Sequence, residues 1–460
     1  MNPEAHEAER GLGVALRAML AAWLVLAGLQ ILYAASSLLQ LHYLASRPYP
    51  ELPGWLRGSQ EAFRLLVLPP MWLLTGAALR YGQVTLARDR GLALAAAAAL
   101  GLALVIDLVL VGHDSLARAE LLQPTLSWFR LSRWIYLAQG VSEAAGLGLL
   151  GAALALGGHT RGARTQHWLW APMVLRALLP YLLAYADWLP NWRNSSQVLL
   201  VYGGLLALLV VATALYAWLL LRCVAVTRVA ERRAQAGLAL RGHAGAMLAR
   251  VVVLVGVAVL TVAAARARSL DLLKFVMVVG PLATFVIGVG LIAATARFAW
   301  SSVDGGGLMP HLALGLVMAP LLLEAHGLVL VIGLFWGRGS IMERAQVVQQ
   351  VAPVLSLFGQ VIGVAALLAM LRALARVGGT VGVPDAAGRA LRIGGGLLAL
   401  LVAMPLLSSR MQLLGARTGG VGTMVLLGVL LLAAAVALLA AYIKLVREVA
   451  DTVGPAAPRW

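Results

Sequence analysis

Ala18-Met19-Leu20-Ala21 opens a long apolar segment near the start of the chain, and the same quartet returns as Ala246-Met247-Leu248-Ala249 at the head of another. Two further sets repeat in the same order. Gln139, Ala144-Ala145 and Gly157-Gly158 reappear as Gln360, Ala365-Ala366 and Gly378-Gly379, all displaced by 221 positions. Pro180, Gly203 and Arg222 return as Pro405, Gly428 and Arg447, displaced by 225. Three ordered sets across the length of the chain indicate one membrane unit written twice, and a duplicated membrane unit has few physical uses.

The composition places both copies in lipid. Hydrophobic residues make up 61% of the chain and the mean hydropathy is +0.88, whereas a soluble domain is roughly 45–50% apolar. The apolar residues fall in blocks of about 20, the length that crosses a bilayer as a helix. Twelve blocks stand out: 12–39, 63–80, 91–112, 134–157, 168–189, 197–222, 247–265, 272–297, 309–336, 347–373, 391–407 and 419–443. No connection between them is long enough for a soluble catalytic domain. The expected fold is an all-α integral membrane protein of about twelve transmembrane helices. These form two parallel six-helix repeats related by a pseudo-twofold along the membrane normal. The first repeat is residues 1–226, a basic linker follows at 227–245, and the second repeat is 246–460.

A net charge of +17 would suggest nucleic acid for a soluble protein. Here the arginines lie mostly at block ends and in connections, where they anchor helices to headgroups and set orientation. Lys and Arg are in excess over the termini and even-numbered loops. Arg222, Arg228, Arg232, Arg233, Arg241 and Arg250, read as a cluster between blocks six and seven, dominate that excess. Both termini are therefore expected in the cytoplasm of a bacterial inner membrane. The first block is longer than a signal-peptide core and has a repeat partner, so it is read as a retained span.

Several functions drop out. One cysteine, Cys223, excludes an internal disulfide, an iron–sulfur cluster and a c-type haem attachment. Neither lysine, Lys274 or Lys444, lies in a Gly-rich phosphate loop, which removes a self-contained ATPase. The histidines show no His-x-x-x-His or Glu-x-x-His spacing, so no metal and no cofactor are expected. The expected partners are the bilayer, a small solute and other subunits.

Ionisable groups inside a span are costly and mark function. Glu324, in Pro320-Leu321-Leu322-Leu323-Glu324-Ala325-His326-Gly327, is the leading candidate for proton coupling. No cation lies near it in sequence except His326, which points to another helix face, and Pro320 and Gly327 loosen the helix beside it. Asp107 occupies the corresponding span of the first repeat, nearer the outer surface, and is a second coupling candidate. Glu143 and Arg176 lie roughly 15 Å and 20 Å deep at 1.5 Å per residue, close enough in depth to pair. Gln139 and Gln360, related by the repeat, and His326 complete the residues expected to shape a cavity or ion pair. No Ser/His or paired-carboxylate dyad shares one helix face, so the chain is not expected to be an enzyme.

Twelve spans in two parallel sixes resembles the plan of the major facilitator superfamily. The loop Gly82-Gln83-Val84-Thr85-Leu86-Ala87-Arg88-Asp89-Arg90-Gly91 departs from that family's Gly…Asp-Arg-x-Gly signature, because Asp89-Arg90 abuts Gly91 directly. The resemblance is one of architecture. The sequence thus favours a secondary, proton-coupled transporter of a small solute. The alternatives are a non-transporting membrane subunit or scaffold and, further off, an intramembrane enzyme acting on lipid.

Overall fold

The computed structural model describes residues 3–45, 54–156, 233–301, 307–337, 340–415 and 421–454, with parts of 204–224 and a few single positions within these ranges excepted. Nearly all of these residues are helical and none forms a strand. Ten helices follow in order: α1 (Pro3–Ala45), α2 (Gly54–Val84), α3 (Ala87–Arg118), α4 (Leu126–Leu156), α5 (Arg233–Ala267), α6 (Leu270–Ser301), α7 (Met309–Trp336), α8 (Ile341–Val381), α9 (Ala386–Gly415) and α10 (Val421–Val453). Each is long and apolar enough to cross a membrane. They carry ten of the twelve apolar blocks. Block 168–189 lies outside the described residues, and of block 197–222 the described part includes a shorter apolar helix, Thr213–Val224.

The outward faces of these helices are apolar as well. On α5, Val252 and Val259 are more than 60% exposed, and Leu102, Val105 and Val109 stand out along α3. Water-soluble proteins rarely present apolar surface so continuously. With helices of this length and composition, the chain is a polytopic helical membrane protein. Exposed Trp336 closes α7 and exposed Trp134 sits near the start of α4, positions suited to aromatic anchors at a membrane interface.

Contacts divide the chain into two units. The first comprises Met1–Val229 with His326–Leu357, and the second Ala230–Ala325 with Phe358–Trp460. The divisions fall inside α7, after Ala325, and inside α8, after Leu357. By sequence the hairpin 326–357 lies in the second repeat; by contacts it belongs with the first unit.

In the first unit α1, α2, α3 and α4 pack as sequential neighbours. Trp23 is fully buried, donates its indole N–H to the Thr213 carbonyl at 3.1 Å, and packs on Tyr216. Glycines let backbones close in: a Cβ at Gly146 would stand 2.6 Å from Leu100 Cγ. Such small-residue contacts drive helix association in lipid, where the hydrophobic effect is absent. Arg344 donates to the carbonyls of Gly333 and Gly337 at 2.8 and 2.6 Å, capping the carboxyl end of α7.

In the second unit α5 packs on α6 and α10, and α9 on α10. Leu240, Met247, Phe298, Leu374, Tyr442 and Val446 are among its buried core. Arg241 ties the start of α5 to the end of α10 through Asp451 at 3.1 Å and the Gly454 carbonyl at 2.6 Å. Arg389 and Glu448 join α9 to α10 near the same helix ends. Gly382, with φ of 82°, turns the chain from α8 into α9.

The linker expected at 227–245 differs from what forms. From Arg233 onward it is the first part of α5, continuous with the seventh apolar block. Ala, Gly and Leu dominate 234–249 and no proline interrupts them, so the backbone bonds of the span simply extend back. The two copies of the Ala-Met-Leu-Ala quartet also occupy different surroundings. Ala18, Met19, Leu20 and Ala21 are all buried, whereas Met247 is buried and Leu248 is exposed.

Candidate functional site

One charge site of the second unit joins α5 and α7. Arg250 lies fifteen residues from Gln235 and fourteen from Ala264, the ends of the apolar stretch of α5. Glu324 lies fifteen residues from Met309 and twelve from Trp336, the ends of α7. The Arg250 Nη2 donates to Glu324 Oε1, forming an ion pair near the middle of both helices. About a quarter of each side chain is exposed. The second carboxylate oxygen, Oε2, is buried and has no hydrogen-bond partner among the described residues. Thr284 of α6 stands beside the carboxylate but gives its proton to the Pro281 carbonyl at 2.8 Å.

The helices around this pair are kept slim. A Cβ at Gly359 or Gly363 of α8 would stand 3.9 Å from Leu323 or Pro320, so small residues cross the α7 segment carrying Glu324. Gly288 of α6 admits the Leu321 side chain. Pro320 withholds one backbone hydrogen bond a turn before Glu324.

Glu324, with no cation but His326 near it in sequence, meets one from another helix, and Arg250, read as part of the basic cluster between blocks six and seven, lies within α5. Because α5 starts at Arg233, Arg250 is carried deep into the apolar stretch, where an isolated cation is costly and a carboxylate across the helix interface lowers the cost.

The first unit holds a polar seam among α2, α3 and α4. Asp107 and Asp114 share one face of α3 at i, i+7, and Tyr136, Gln139 and Glu143 share one face of α4 at i, i+3, i+7. Arg64 of α2 donates to Asp114 Oδ2 and to the Tyr136 hydroxyl, each at 2.7 Å. Gln139 donates to Asp107 Oδ2 at 3.2 Å, and Glu143 and Arg64 are the charged groups acting on Asp107. Asp107, the second coupling candidate, is half-buried and accepts from Gln139. His113 stacks on Trp128 with ring centroids 3.7 Å apart.

His326, on the part of α7 that belongs to this unit, is buried, and its Nδ1 lies 2.8 Å from Ser115 Oγ. Ser115 gives its own proton to the Val111 carbonyl at 2.7 Å, so the bond requires Nδ1–H on His326. Beside it Arg64, Asp114, Arg118 and His326 line a cavity of about 10 Å³, room for roughly one water.

The pairing expected between Glu143 and Arg176 involves a residue outside the described ones; Glu143 itself is half-buried on α4. Gln139 is engaged with Asp107, while its repeat counterpart Gln360 is exposed on α8. Glu324 and His326, two residues apart on α7, belong to different units.

No protein-family model matches the chain, and neither a curated protein nor a solved structure matches it. The functional reading therefore rests on these sites alone. Among the described residues no three His, Cys, Asp or Glu side chains gather as a bound metal would need. Arg64 and Arg250 escaped the reading of the sequence. Each had one local signal, an arginine interrupting an apolar run, but both sat near enough to a block edge to pass for anchors.

Proposed function

We propose that the chain is a secondary transporter of a small solute, coupled to protons and working by alternating access. Its place is a bacterial inner membrane, with both termini in the cytoplasm. The observation that carries this reading is the half-paired carboxylate of Glu324 beside Arg250 at mid-span. A charge pair there costs more than an apolar contact of equal size, so its retention calls for a use beyond packing. One oxygen of Glu324 bonds Arg250 and the other is left to take and release a proton. Pro320 and the facing glycines Gly359 and Gly363 give α7 and α8 a locally loose segment around that proton site.

The test is solute-driven proton movement in proteoliposomes holding the full chain and a trapped pH dye, challenged with sugars, amino acids and organic acids in turn. One class is expected to move protons, and Glu324→Gln to abolish that movement while leaving the protein folded. Proton movement unchanged in Glu324→Gln removes the coupling assignment. A second reading, a non-transporting subunit of a larger assembly, is favoured by the pairing of Arg250 with Glu324 and of Arg64 with Asp114. Co-purification of the native protein with stoichiometric partners, together with no solute flux, would support it.

A further inference from the structure

Charge balance at the pair limits what the transporter can carry. Arg250 stays protonated at any physiological pH. While Glu324 is ionised, the pair is neutral. Once a proton sits on Glu324, the guanidinium keeps its charge near the middle of a bilayer with no counter-ion, and breaking a desolvated pair from one side is strongly unfavourable. Proton uptake therefore needs a replacement anion at Arg250.

The described residues around the pair offer no internal substitute. On α6 the neighbour is Thr284, a neutral hydroxyl already bonded to Pro281. On α8 Gly359 and Gly363 cross the segment around Glu324. On α7 itself His326 turns to Ser115. Among the described residues Arg250 is the charged group acting on Glu324, and no carboxylate does so. About a quarter of each side chain is left uncovered by the protein, and an incoming group would reach the guanidinium there.

We infer that the transported solute is a small monoanion bearing a carboxylate or phosphate group, which takes the place of Glu324 on Arg250 as Glu324 takes a proton. Both groups match the donor fork of a guanidinium. The exchange balances: one proton goes to the Glu324 carboxylate, the Arg250–Glu324 bond breaks, and one Arg250–anion bond forms. The charge of the site is the same before and after, so proton and anion cross together and electroneutrally. The inference rests on the transporter reading of the same pair.

Its test is equilibrium binding and needs no flux. Thermal unfolding of the purified full chain is followed against formate in one arm and dimethyl phosphate, a monoanion throughout the range, in the other. Wild type is expected to bind one of these anions about tenfold more tightly for each pH unit lowered from about pH 8, the signature of one proton taken up per anion. Glu324→Gln, which mimics the protonated side chain, is expected to bind at both ends of that range, and Arg250→Gln/Glu324→Gln at neither. The responding arm names the carboxylate or the phosphate. Binding by wild type that ignores pH, binding that survives loss of Arg250, or no response of Glu324→Gln in either arm overturns the inference. If binding fails while protons still move with a neutral or cationic solute, the transporter reading stands without it. If binding succeeds and no solute moves protons, the transporter reading falls.

Discussion

Arg250 and Glu324 are 74 positions apart in the chain and hydrogen-bonded in the fold, each near the middle of its own apolar helix. Their adjacency explains how two charges persist where lipid would exclude either alone. It also makes the two residues unequal to their sum. Arg250→Ala, which strands the carboxylate, should cost about 3–5 kcal/mol, and Arg250→Ala/Glu324→Ala clearly less. Chemical denaturation in detergent measures both. A loss in the double variant equal to the sum of the losses in Arg250→Ala and Glu324→Ala would show that the pair carries no coupling energy.

Close backbone approach predicts a sharp contrast between glycines of one helix. A Cβ at Gly237 would lie 2.8 Å from Gly454 Cα and 3.1 Å from the Ala450 carbonyl oxygen, backbone atoms with nowhere to go. A Cβ at Gly256, also on α5, meets nothing within 4 Å. Gly237→Ala should destabilise by about 1–3 kcal/mol. Gly256→Ala should be neutral or stabilising by up to about 1 kcal/mol, since alanine is the better helix former. Melting temperatures of the two variants decide it.

His243 is buried between Thr295 at 3.0 Å and the Tyr442 hydroxyl at 2.7 Å, so one imidazole joins α5, α6 and α10. Tyr442→Phe removes the hydroxyl without changing shape and leaves a ring nitrogen unsatisfied. A loss of about 1–3 kcal/mol is expected. His243→Leu/Tyr442→Phe should recover part of it, because both polar partners are then gone.

Arg64 serves two acceptors at once, Asp114 and Tyr136. Arg64→Leu should therefore destabilise the protein more than Tyr136→Phe, which loses one bond and leaves the ion pair. The order of their denaturation midpoints is the measurement, and the reverse order would mean that the Asp114 pair contributes nothing.

Cys223 is fully buried. A membrane-permeant maleimide should leave the folded protein unlabelled and react once the chain is unfolded in dodecyl sulfate, read as a mass increase of one adduct. Rapid labelling of the native protein would contradict this placement.

The helical class and the positions of ten helices were legible in the apolar blocks, because a helix crossing lipid must satisfy its backbone internally and needs a fixed length. Glu324, Asp107, Glu143 and Gln139 stood out for a related reason: a polar side chain inside such a block contradicts its surroundings. Arg250 did not stand out. It followed the Ala246-Met247-Leu248-Ala249 quartet so closely that it passed for the last residue of a basic loop, and only the extension of α5 back to Arg233 put it at depth. Arg64 was hidden in the same way, near the head of α2.

What the sequence determined by itself is therefore the medium: hydropathy along one chain fixes which segments leave water. It did not determine partners. Arg250 meets Glu324, Arg64 meets Asp114, and His326 meets Ser115 across helix interfaces, and the quartet that occurs twice in the sequence is wholly buried in one place and exposes Leu248 in the other. Hydropathy is a property of a segment, whereas pairing depends on how far each helix extends and which face it turns to its neighbours, and tertiary packing alone sets both.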